Sequence, residues 1–217
     1  MTAPPLQGSM EQLLSSVEQY YTQKLITHGA TPLGVDWSCV PTQEMRFVQL
    51  LKLCNFSSPL TLNDVGCGYG ALLAFLAKRY RVKTIDYLGM DLSPAMVTQA
   101  RLLWSKRAHI AFAVGSKCPR VADYSVASGI FNVKLNQADE LWEQFIIQTL
   151  ADMSTSSRHG FAVNFLAPLP PAISGIPELY RAPADIWAAH CERTFRAKVE
   201  VIADYGMREY TLLIRKT

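Results

Sequence analysis

Short apolar segments alternate with helix-length segments from Leu60 onward, and this order restricts the possible fold more than any other feature of the sequence. Two parallel strands need a connection long enough to hold a helix, so the alternation predicts a parallel sheet with helices on both faces. The predicted strands are residues 60–65, 84–91, 109–115, 123–131, 160–167, 197–204 and 209–216. The predicted helices are residues 69–80, 93–107 and 138–153, with another after Pro183.

The last two predicted strands break this alternation. Only residues 205–208 lie between them, which is too short a connection for a parallel crossover. We therefore expect an antiparallel hairpin at one edge of an otherwise parallel sheet, within an α/β fold.

The N-terminal part of the chain has a different pattern. Apolar residues return at helical intervals from Ser9 to Thr27, and Ser9 and Gln12 are placed like a capping box. Glycines and prolines interrupt residues 28–41, and a second helix is predicted to begin with Thr42 as its N-cap. We assign residues 1–58 to a helical lid packed on the core and residues 59–217 to the α/β unit, the two forming one globular body.

The composition argues against several classes of protein. A formal charge of +3 is too small to indicate a nucleic-acid partner, because such proteins concentrate Lys and Arg on one face. The five cysteines include no CxxC pair and no metal-ligand spacing, so we expect reduced thiols and no metal site. The first residues lack the apolar core of a signal peptide, and no apolar run is as long as a membrane span. These features predict a soluble, cytoplasmic protein without a nucleic-acid or membrane partner.

Three glycines at alternate positions, Gly66, Gly68 and Gly70, follow the first predicted strand directly. In open α/β sheets ligands bind beyond the carboxyl ends of the strands, and the first strand-to-helix turn approaches them most closely. Glycine permits positive φ there and lets the backbone touch a ligand, while the next helix offers unpaired N–H groups. The following strand ends at Asp91, whose carboxylate is placed to accept hydrogen bonds from ribose hydroxyls. Asp91 can instead cap the helix that follows, a role that Ser93 would fill equally well.

The loop Gly66-Cys67-Gly68-Tyr69-Gly70-Ala71 also satisfies the dinucleotide fingerprint G-x-G-x-x-G/A, so its spacing alone does not identify the ligand. Asp64 favours S-adenosylmethionine, because a negative charge two residues before the loop would repel a pyrophosphate and attract the ammonium of a methionine moiety. A short-chain dehydrogenase would also need a Tyr-x-x-x-Lys pair after the loop. The only such pair, Tyr20 and Lys24, precedes it.

Several segments resemble, in chain order, the successive motifs of class I S-adenosylmethionine-dependent methyltransferases: NDVGCGYG, LGMDLSPAMVTQAR, FAVGSK, DYSVASGIFN and the terminal pair of strands. The resemblance covers about Leu60 to Thr217. It implies a Rossmann-like, doubly wound sheet of seven strands in which the seventh strand is inserted antiparallel.

The resemblance also implies a set of cofactor contacts. Gly66 to Gly70, including Cys67, would lie under the aminocarboxypropyl group of S-adenosylmethionine, and Asp91 would bind its ribose. Leu92 and Met96 would lie beside the adenine. Gly115 and Ser116 match the segment that usually carries an acidic residue near the adenine amine, and this chain departs from the family pattern there.

The acceptor side of the site has weaker signals. DYSVASGIFN ends with Gly129 and Asn132 on the implied sulfonium side, where Asn132 either binds an acceptor or caps a helix. The Asn-Pro-Pro-Tyr type of sequence, which the family uses on amino groups of nucleobases, is absent there. Aromatic residues are candidates for a lid, because ring faces attract a sulfonium. We expect Tyr20 or Tyr21 to contact the methionine carboxylate and Tyr180 to face the reacting centre, and no strong catalytic base stands out.

The leading interpretation is an enzyme that methylates a small metabolite, since no long insertion offers a surface for a larger acceptor. A second interpretation is similarity to azetidine-2-carboxylate synthases, in which the α-amine of S-adenosylmethionine attacks its own γ-carbon and methylthioadenosine leaves. A third is a binding module that keeps the cofactor without catalysis. The presence of Asp64, all three loop glycines and Asp91 argues against the third.

Overall fold

The computed structural model describes residues 7–80 and 85–217, with side chains from Met10 onward. The helices are α1 (Gln7–His28), α2 (Val40–Leu50), α3 (Ala71–Arg79), α4 (Pro94–Trp104), α5 (Asp139–Thr155) and α6 (Ala184–Phe195). The strands are β1 (Leu60–Val65), β2 (Ile85–Asp91), β3 (Ile110–Val114), β4 (Ala122–Ala127), β5 (Ser157–Leu166), β6 (Lys198–Ile202) and β7 (Glu209–Arg215). Short 3₁₀ turns cover Pro32–Val35 and Leu51–Leu53.

The strands form one sheet in the order β3-β2-β1-β4-β5-β7-β6 within the described residues. Strands β1 to β5 pair in parallel, and β7 lies antiparallel between β5 and β6. The predicted α/β fold, its terminal hairpin and the inserted seventh strand are therefore confirmed. The strand order reverses between β1 and β4, and such a switch point opens a crevice at the carboxyl ends of the strands.

Helices cover both faces of the sheet, as the alternation predicts. On one face α1, α5 and α6 bury a cluster that contains Trp142 and Trp187. On the other face α2, α3 and α4 bury a cluster that contains Phe47 and Leu76. Because α1 and α2 lie on opposite faces, the segment between them, residues 29–39, passes over the carboxyl ends of the central strands, where Val35 lies beside Gly68 and Trp37 beside Gly129.

Local capping explains where α4 begins. Ser93 is fully buried, and its hydroxyl accepts a hydrogen bond from the backbone N–H of Met96 at 3.2 Å. Pro94 occupies the first helical position, where its missing N–H costs nothing. Ser93 is therefore the N-cap, and Asp91 is available for another role.

Several predicted boundaries are wrong. Helix α1 begins at Gln7, so Ser9 lies inside it and is not its N-cap. Helix α2 begins at Val40 rather than after Thr42, because Pro41 fits within a first helical turn. Strand β4 ends at Ala127 instead of residue 131, since Gly129 at φ +76° turns the chain away. Thr84, the first residue of one predicted strand, lies outside the described residues.

Helices of the described segments are too short or too polar to cross a membrane.

Candidate active site

A cleft lies at the carboxyl ends of β1, β2 and β4, at the switch point of the sheet. Its empty space is about 980 Å³ including the open mouth. Most residues that the sequence assigns to the cofactor line this first cleft: Tyr21, Asp64, Gly66, Cys67, Gly68, Asp91, Leu92, Met96, Gly115, Ser116 and Gly129. Four further predicted residues, Gly70, Tyr20, Asn132 and Tyr180, are not among those that line it.

The glycine loop adopts the backbone that its sequence predicts. Gly66, Gly68 and Gly70 have φ values of +73°, +54° and +87°. The N–H groups of Gly66 and Cys67 both donate to the carbonyl oxygen of Met90, at 2.7 and 2.9 Å. A Cβ on Gly66 would lie 2.2 Å from Ile130, and one on Gly70 would lie 2.7 Å from the Trp104 indole nitrogen. Gly70 thus serves helix packing, while the first two glycines face the cleft.

Asp91 is fixed by the loop that it faces. One carboxylate oxygen accepts the N–H of Gly68 at 2.9 Å, and the other accepts the N–H of Ser93 at 2.9 Å. Burial raises the pKa of Asp91, and the backbone N–H groups of Ser93 and Gly68 oppose that rise. The backbone N–H of Leu92 also bonds to Asp91. An ionised carboxylate has about four lone-pair positions, so these three N–H groups do not use all of them.

Asp64 differs from the fixed negative charge that the sequence suggests. It is 2% exposed, and the hydroxyl of Tyr87 donates to it at 2.5 Å. Burial raises the pKa of Asp64 to about 7, and the hydrogen bond from Tyr87 limits the rise. The neighbouring charge of Asp91 raises the pKa further. Asp64 therefore changes its charge near neutral pH, and a cation placed beside it would favour the ionised form.

The segment of residues 29–39 lies over the cleft. A Cβ on Gly68 would be 2.8 Å from Val35, and a Cβ on Gly129 would be 2.1 Å from the ring of Trp37. Between these two contacts Asp36 adopts φ +63°, and its carboxylate accepts hydrogen bonds from α1. We call residues 29–39 the lid segment.

Two adjacent tyrosines of α1 have different roles. The hydroxyl of Tyr20 donates to Asp36 at 2.7 Å, beside Lys24, whose ammonium lies 2.6 Å from the same carboxylate. Tyr21 packs edge-on against Tyr20 with ring centroids 5.2 Å apart and lines the cleft. Tyr20 therefore holds the lid segment, and of the two tyrosines only Tyr21 is placed to meet a ligand.

A second cleft adjoins the first and shares four wall residues with it: Tyr21, Val35, Trp37 and Gly129. Its opposite wall contains a buried ion pair between Arg46 of α2 and Glu209 of β7. The guanidinium of Arg46 also lies 3.7 Å from the centre of the Trp37 ring, which is a cation–π contact. The lid segment is thus part of both clefts.

Polar groups without partners line this second cleft. Asn132 is 4% exposed, and neither its amide oxygen nor its amide nitrogen has a hydrogen-bond partner among the described residues. The buried Nε of Arg181 also lacks a partner there. Buried polar groups are normally hydrogen-bonded, so these groups have hydrogen-bonding capacity left for a ligand or a water molecule. The alternative role of Asn132 as a helix cap is not observed, since the next helix begins at Asp139.

Tyr180 does not take the position predicted for it. Its ring is buried in the core cluster on the α1, α5 and α6 face, and its hydroxyl donates to Glu143 at 3.0 Å. It lines neither cleft.

The comparisons with known proteins agree with this geometry. Residues 63–155 match the family model described as "Methyltransferase domain". The chain is also 42% identical over 166 residues to a Mycobacterium tuberculosis protein described as "Putative methyltransferase Rv1506c", covering 76% of this chain and 99% of that protein. The chain belongs to the class I S-adenosylmethionine-dependent methyltransferases.

Solved structures of methyltransferases share the fold at low identity. The phosphoethanolamine N-methyltransferase of Haemonchus contortus has a TM-score of 0.68 at 12% identity, covering 95% of this chain and 49% of that one. An O-methyltransferase family protein from Burkholderia thailandensis has a TM-score of 0.65 at 14% identity, covering 98% and 69%. Magnesium protoporphyrin IX methyltransferase from Synechocystis, solved with bound S-adenosylhomocysteine, has a TM-score of 0.55 at 12% identity, covering 100% and 90%.

The second cleft contains residues that the sequence did not indicate. Arg46 and Glu209 are in contact although 163 positions separate them, and no local sequence pattern predicts such a pair. Asn164 could have indicated a buried polar network at this position, because an amide inside an apolar strand needs hydrogen-bond partners if it is buried. It accepts the N–H of Gly129 at 2.8 Å and donates to Glu209 at 3.2 Å, so it joins the floor of the first cleft to the ion pair.

No group of three or more metal-ligating side chains occurs within the described part of the methyltransferase. Its histidines at positions 28, 109, 159 and 190 are not among the residues lining either cleft.

Proposed function

We propose that this methyltransferase transfers the methyl group of S-adenosylmethionine to a small molecule bound in the second cleft. One observation carries the proposal: the two clefts share the walls formed by Tyr21, Trp37 and Gly129, and the second ends on the unpartnered amide of Asn132. A ligand in each cleft would meet at these shared residues.

The first cleft offers a group for each part of the cofactor. Asp91 has lone pairs for the ribose hydroxyls, and the loop at Gly66 and Gly68 has the bare backbone that close approach requires. Asp64 would accept the ammonium group, and that contact would lower its pKa. The apolar side chains of Leu92 and Met96 would cover the adenine, with Gly115 and Ser116 at its rim.

Tyr21 is the residue we assign to the methionine carboxylate. Burial raises the pKa of Tyr21, so its phenol remains a neutral hydrogen-bond donor. Its position in the wall common to both clefts would let the same side chain contact the cofactor and the acceptor.

The reaction needs orientation more than strong acid–base chemistry. A lone pair of the acceptor attacks the methyl carbon, the carbon–sulfur bond breaks, and its electron pair remains on sulfur to give S-adenosylhomocysteine. The proton of the acceptor atom then passes to water. The protein contributes alignment of the two reactants and exclusion of solvent by Val35 and Trp37 of the lid segment. Asn132 would orient the accepting atom.

A small acceptor fits the structure best. The second cleft lies between α2, the ends of β5 and β7, and the lid segment, so folded chain bounds it on several sides. Self-cyclisation of S-adenosylmethionine would need no polar cleft beside the cofactor. The unpartnered groups at Asn132 and Arg181 therefore favour transfer over cyclisation.

Product analysis tests the proposal directly. The protein is incubated with S-adenosylmethionine labelled in the methyl group, with and without a mixture of small hydroxy and amino compounds, and the products are separated by mass spectrometry. We expect S-adenosylhomocysteine and a labelled product only when acceptors are present. Methylthioadenosine released from the cofactor alone would overturn the proposal in favour of cyclisation.

Two variants separate the clefts in that assay. Asp91→Ala should weaken S-adenosylhomocysteine binding at least tenfold, which is about 1.4 kcal/mol. Asn132→Ala should leave that binding within twofold and lower the rate of transfer. Weaker S-adenosylhomocysteine binding in Asn132→Ala, together with unchanged binding in Asp91→Ala, would contradict the proposed roles.

A further inference from the structure

The charged side chains that line the second cleft are not all paired. Arg46 is neutralised by Glu209, and Asp36 is paired with Lys24. The remaining charged side chain on the wall is Arg181, which forms no salt bridge within the described residues. The Glu209 carboxylate also attracts Arg181 without forming a salt bridge to it, so two arginines share one carboxylate and the cleft carries one positive charge in excess, which favours an anionic ligand.

The hydrogen bonds of the Arg181 guanidinium indicate which kind of anion it is suited to bind. Its Nη1 donates to the carbonyl oxygen of Ala167 at 2.9 Å, while the buried Nε has no partner among the described residues. Nη2 of Arg181 donates no hydrogen bond within the described residues either. Nε and Nη2 together make the edge that Arg46 uses to hold both oxygens of Glu209 in the same cleft. The equivalent edge of Arg181 has no carboxylate partner among the described residues, and its geometry matches a second carboxylate.

The backbone holds Arg181 beside Asn132. The N–H of Tyr180 donates to the carbonyl oxygen of Asn132 at 2.9 Å. Leu179 forms a β-bridge with Val133, and Arg181 forms one with Leu166 at the end of β5. Both unpartnered side chains are therefore set by paired, extended backbone and not by a free loop.

Asn132 and Arg181 are suited to bind different groups of one molecule. Asn132 has both a donor and an acceptor to offer, which suits a hydroxyl or amino group. Arg181 offers only donors, which suits an anion. Arg181 does not line the first cleft, so the carboxylate of the cofactor is not its partner.

We propose that the methyl acceptor is a small carboxylic acid, whose carboxylate binds the open edge of Arg181 and whose hydroxyl or amino group binds Asn132. This inference rests on the proposed function. A carboxylate carries one negative charge and matches the single unpaired positive charge of the cleft. A phosphate monoester carries close to two at neutral pH and would leave one unmatched.

Binding measurements test the inference without relying on turnover. The protein is saturated with S-adenosylhomocysteine and titrated with 3-hydroxybenzoate and 3-hydroxybutanoate, each beside its carboxamide, and with phenyl phosphate. We expect at least one carboxylate to bind at least tenfold more tightly than its carboxamide and than phenyl phosphate. Arg181→Gln should remove that preference, and Arg181→Lys should keep only part of it.

Arg208→Gln is the matched control, because it removes the same charge from an exposed neighbour that lines neither cleft. We expect it to bind the carboxylates within twofold of the unchanged protein. Binding of S-adenosylhomocysteine is measured in every variant, and its retention in Arg181→Gln shows that the fold and the first cleft are intact. If Arg181→Gln loses that binding, Arg181→Lys and the carboxamide comparison in the unchanged protein decide the question.

Three results would overturn the inference: equal binding of carboxylate and carboxamide, tighter binding of phenyl phosphate, or no saturable binding of either carboxylate. The proposed function fails separately, through absence of S-adenosylhomocysteine binding or release of methylthioadenosine from the cofactor alone.

Discussion

Arg46 on α2 and Glu209 at the start of β7 form a buried, two-pronged ion pair in the wall of the second cleft. The pair connects the lid segment to the sheet, because Arg46 also lies against the ring of Trp37. Through Asn164 the same pair reaches the backbone of Gly129 in the first cleft. The first cleft, the second cleft and the lid segment are therefore connected by one continuous set of polar contacts.

We expect removal of one partner of this pair to be costly. In Arg46→Ala the carboxylate of Glu209 stays buried without its counter-charge, and the free energy of unfolding should fall by about 3–5 kcal/mol. The double variant Arg46→Met with Glu209→Leu should lose less, since no unpaired charge remains. Urea unfolding of each protein measures these differences.

Arg158→Ala provides a comparison for this experiment. Its ion pair with Asp123 is half exposed, and its removal should cost less than about 1 kcal/mol. If Arg46→Ala costs no more than Arg158→Ala, the buried pair does not stabilise the fold as described.

The sequence predicts the sheet well, because its signals are local. Strand β1 has the predicted ends, since its apolar run is bounded by Pro59 and Gly66. The glycine loop and Asp91 were found for the same reason: their chemistry lies in a short spacing. The Arg46–Glu209 pair has no such signal, because only the folded sheet brings α2 beside β7.

The prediction for Tyr180 shows why a local sequence pattern does not determine which side chain lines a cleft. Tyr180 was predicted to face the reacting centre, but its ring lies in the core, and the adjacent Arg181 lines the second cleft. The backbone of these residues is extended, and successive side chains of an extended chain point to opposite sides. Tyr180 faces the core, and Arg181 faces the second cleft. The register of the bridge to Leu166 decides whether Tyr180 or Arg181 lines the second cleft, and the sequence does not reveal that register.

The raised pKa of Asp64 predicts a dependence of stability on pH. Its pKa is about 7 in the folded protein and 3.8 as the ordinary value, so between these values the folded state binds more protons than the unfolded one. Stability contributed by this residue should therefore fall as the pH rises from about 4 to about 7, by up to roughly 4 kcal/mol. Asp64→Asn should gain stability relative to the unchanged protein over that range, as measured by urea unfolding at several pH values.

Two further variants test whether this pH dependence belongs to Asp64. Tyr87→Phe removes the hydrogen bond that limits the pKa, so the decline should extend to higher pH. Asp139→Asn changes an exposed carboxylate and should leave the curve parallel to that of the unchanged protein. Parallel curves for Asp64→Asn and the unchanged protein would show that Asp64 titrates normally.

The contact between Gly129 and Trp37 predicts a coupling between the floor of the cleft and the lid segment. A methyl group on Gly129 would lie 2.1 Å from the indole ring, at a backbone φ of +76° that disfavours a side chain. Gly129→Ala should therefore cost about 1–2 kcal/mol for its backbone and about 1–3 kcal/mol more for overlap with the ring. It should also weaken S-adenosylhomocysteine binding, since Trp37 must move from the cleft wall.

Two comparisons separate these contributions. Gly206 has a similar φ of +82° and open space around it, so Gly206→Ala should show the backbone cost alone. In a Trp37→Ala background the ring is gone, and Gly129→Ala should cost only as much as Gly206→Ala does. Unfolding free energies of the four variants and the unchanged chain give the coupling directly. If Gly129→Ala is equally costly with and without the Trp37 ring, the lid segment does not rest on the glycine, and its place over the two clefts must be rejected.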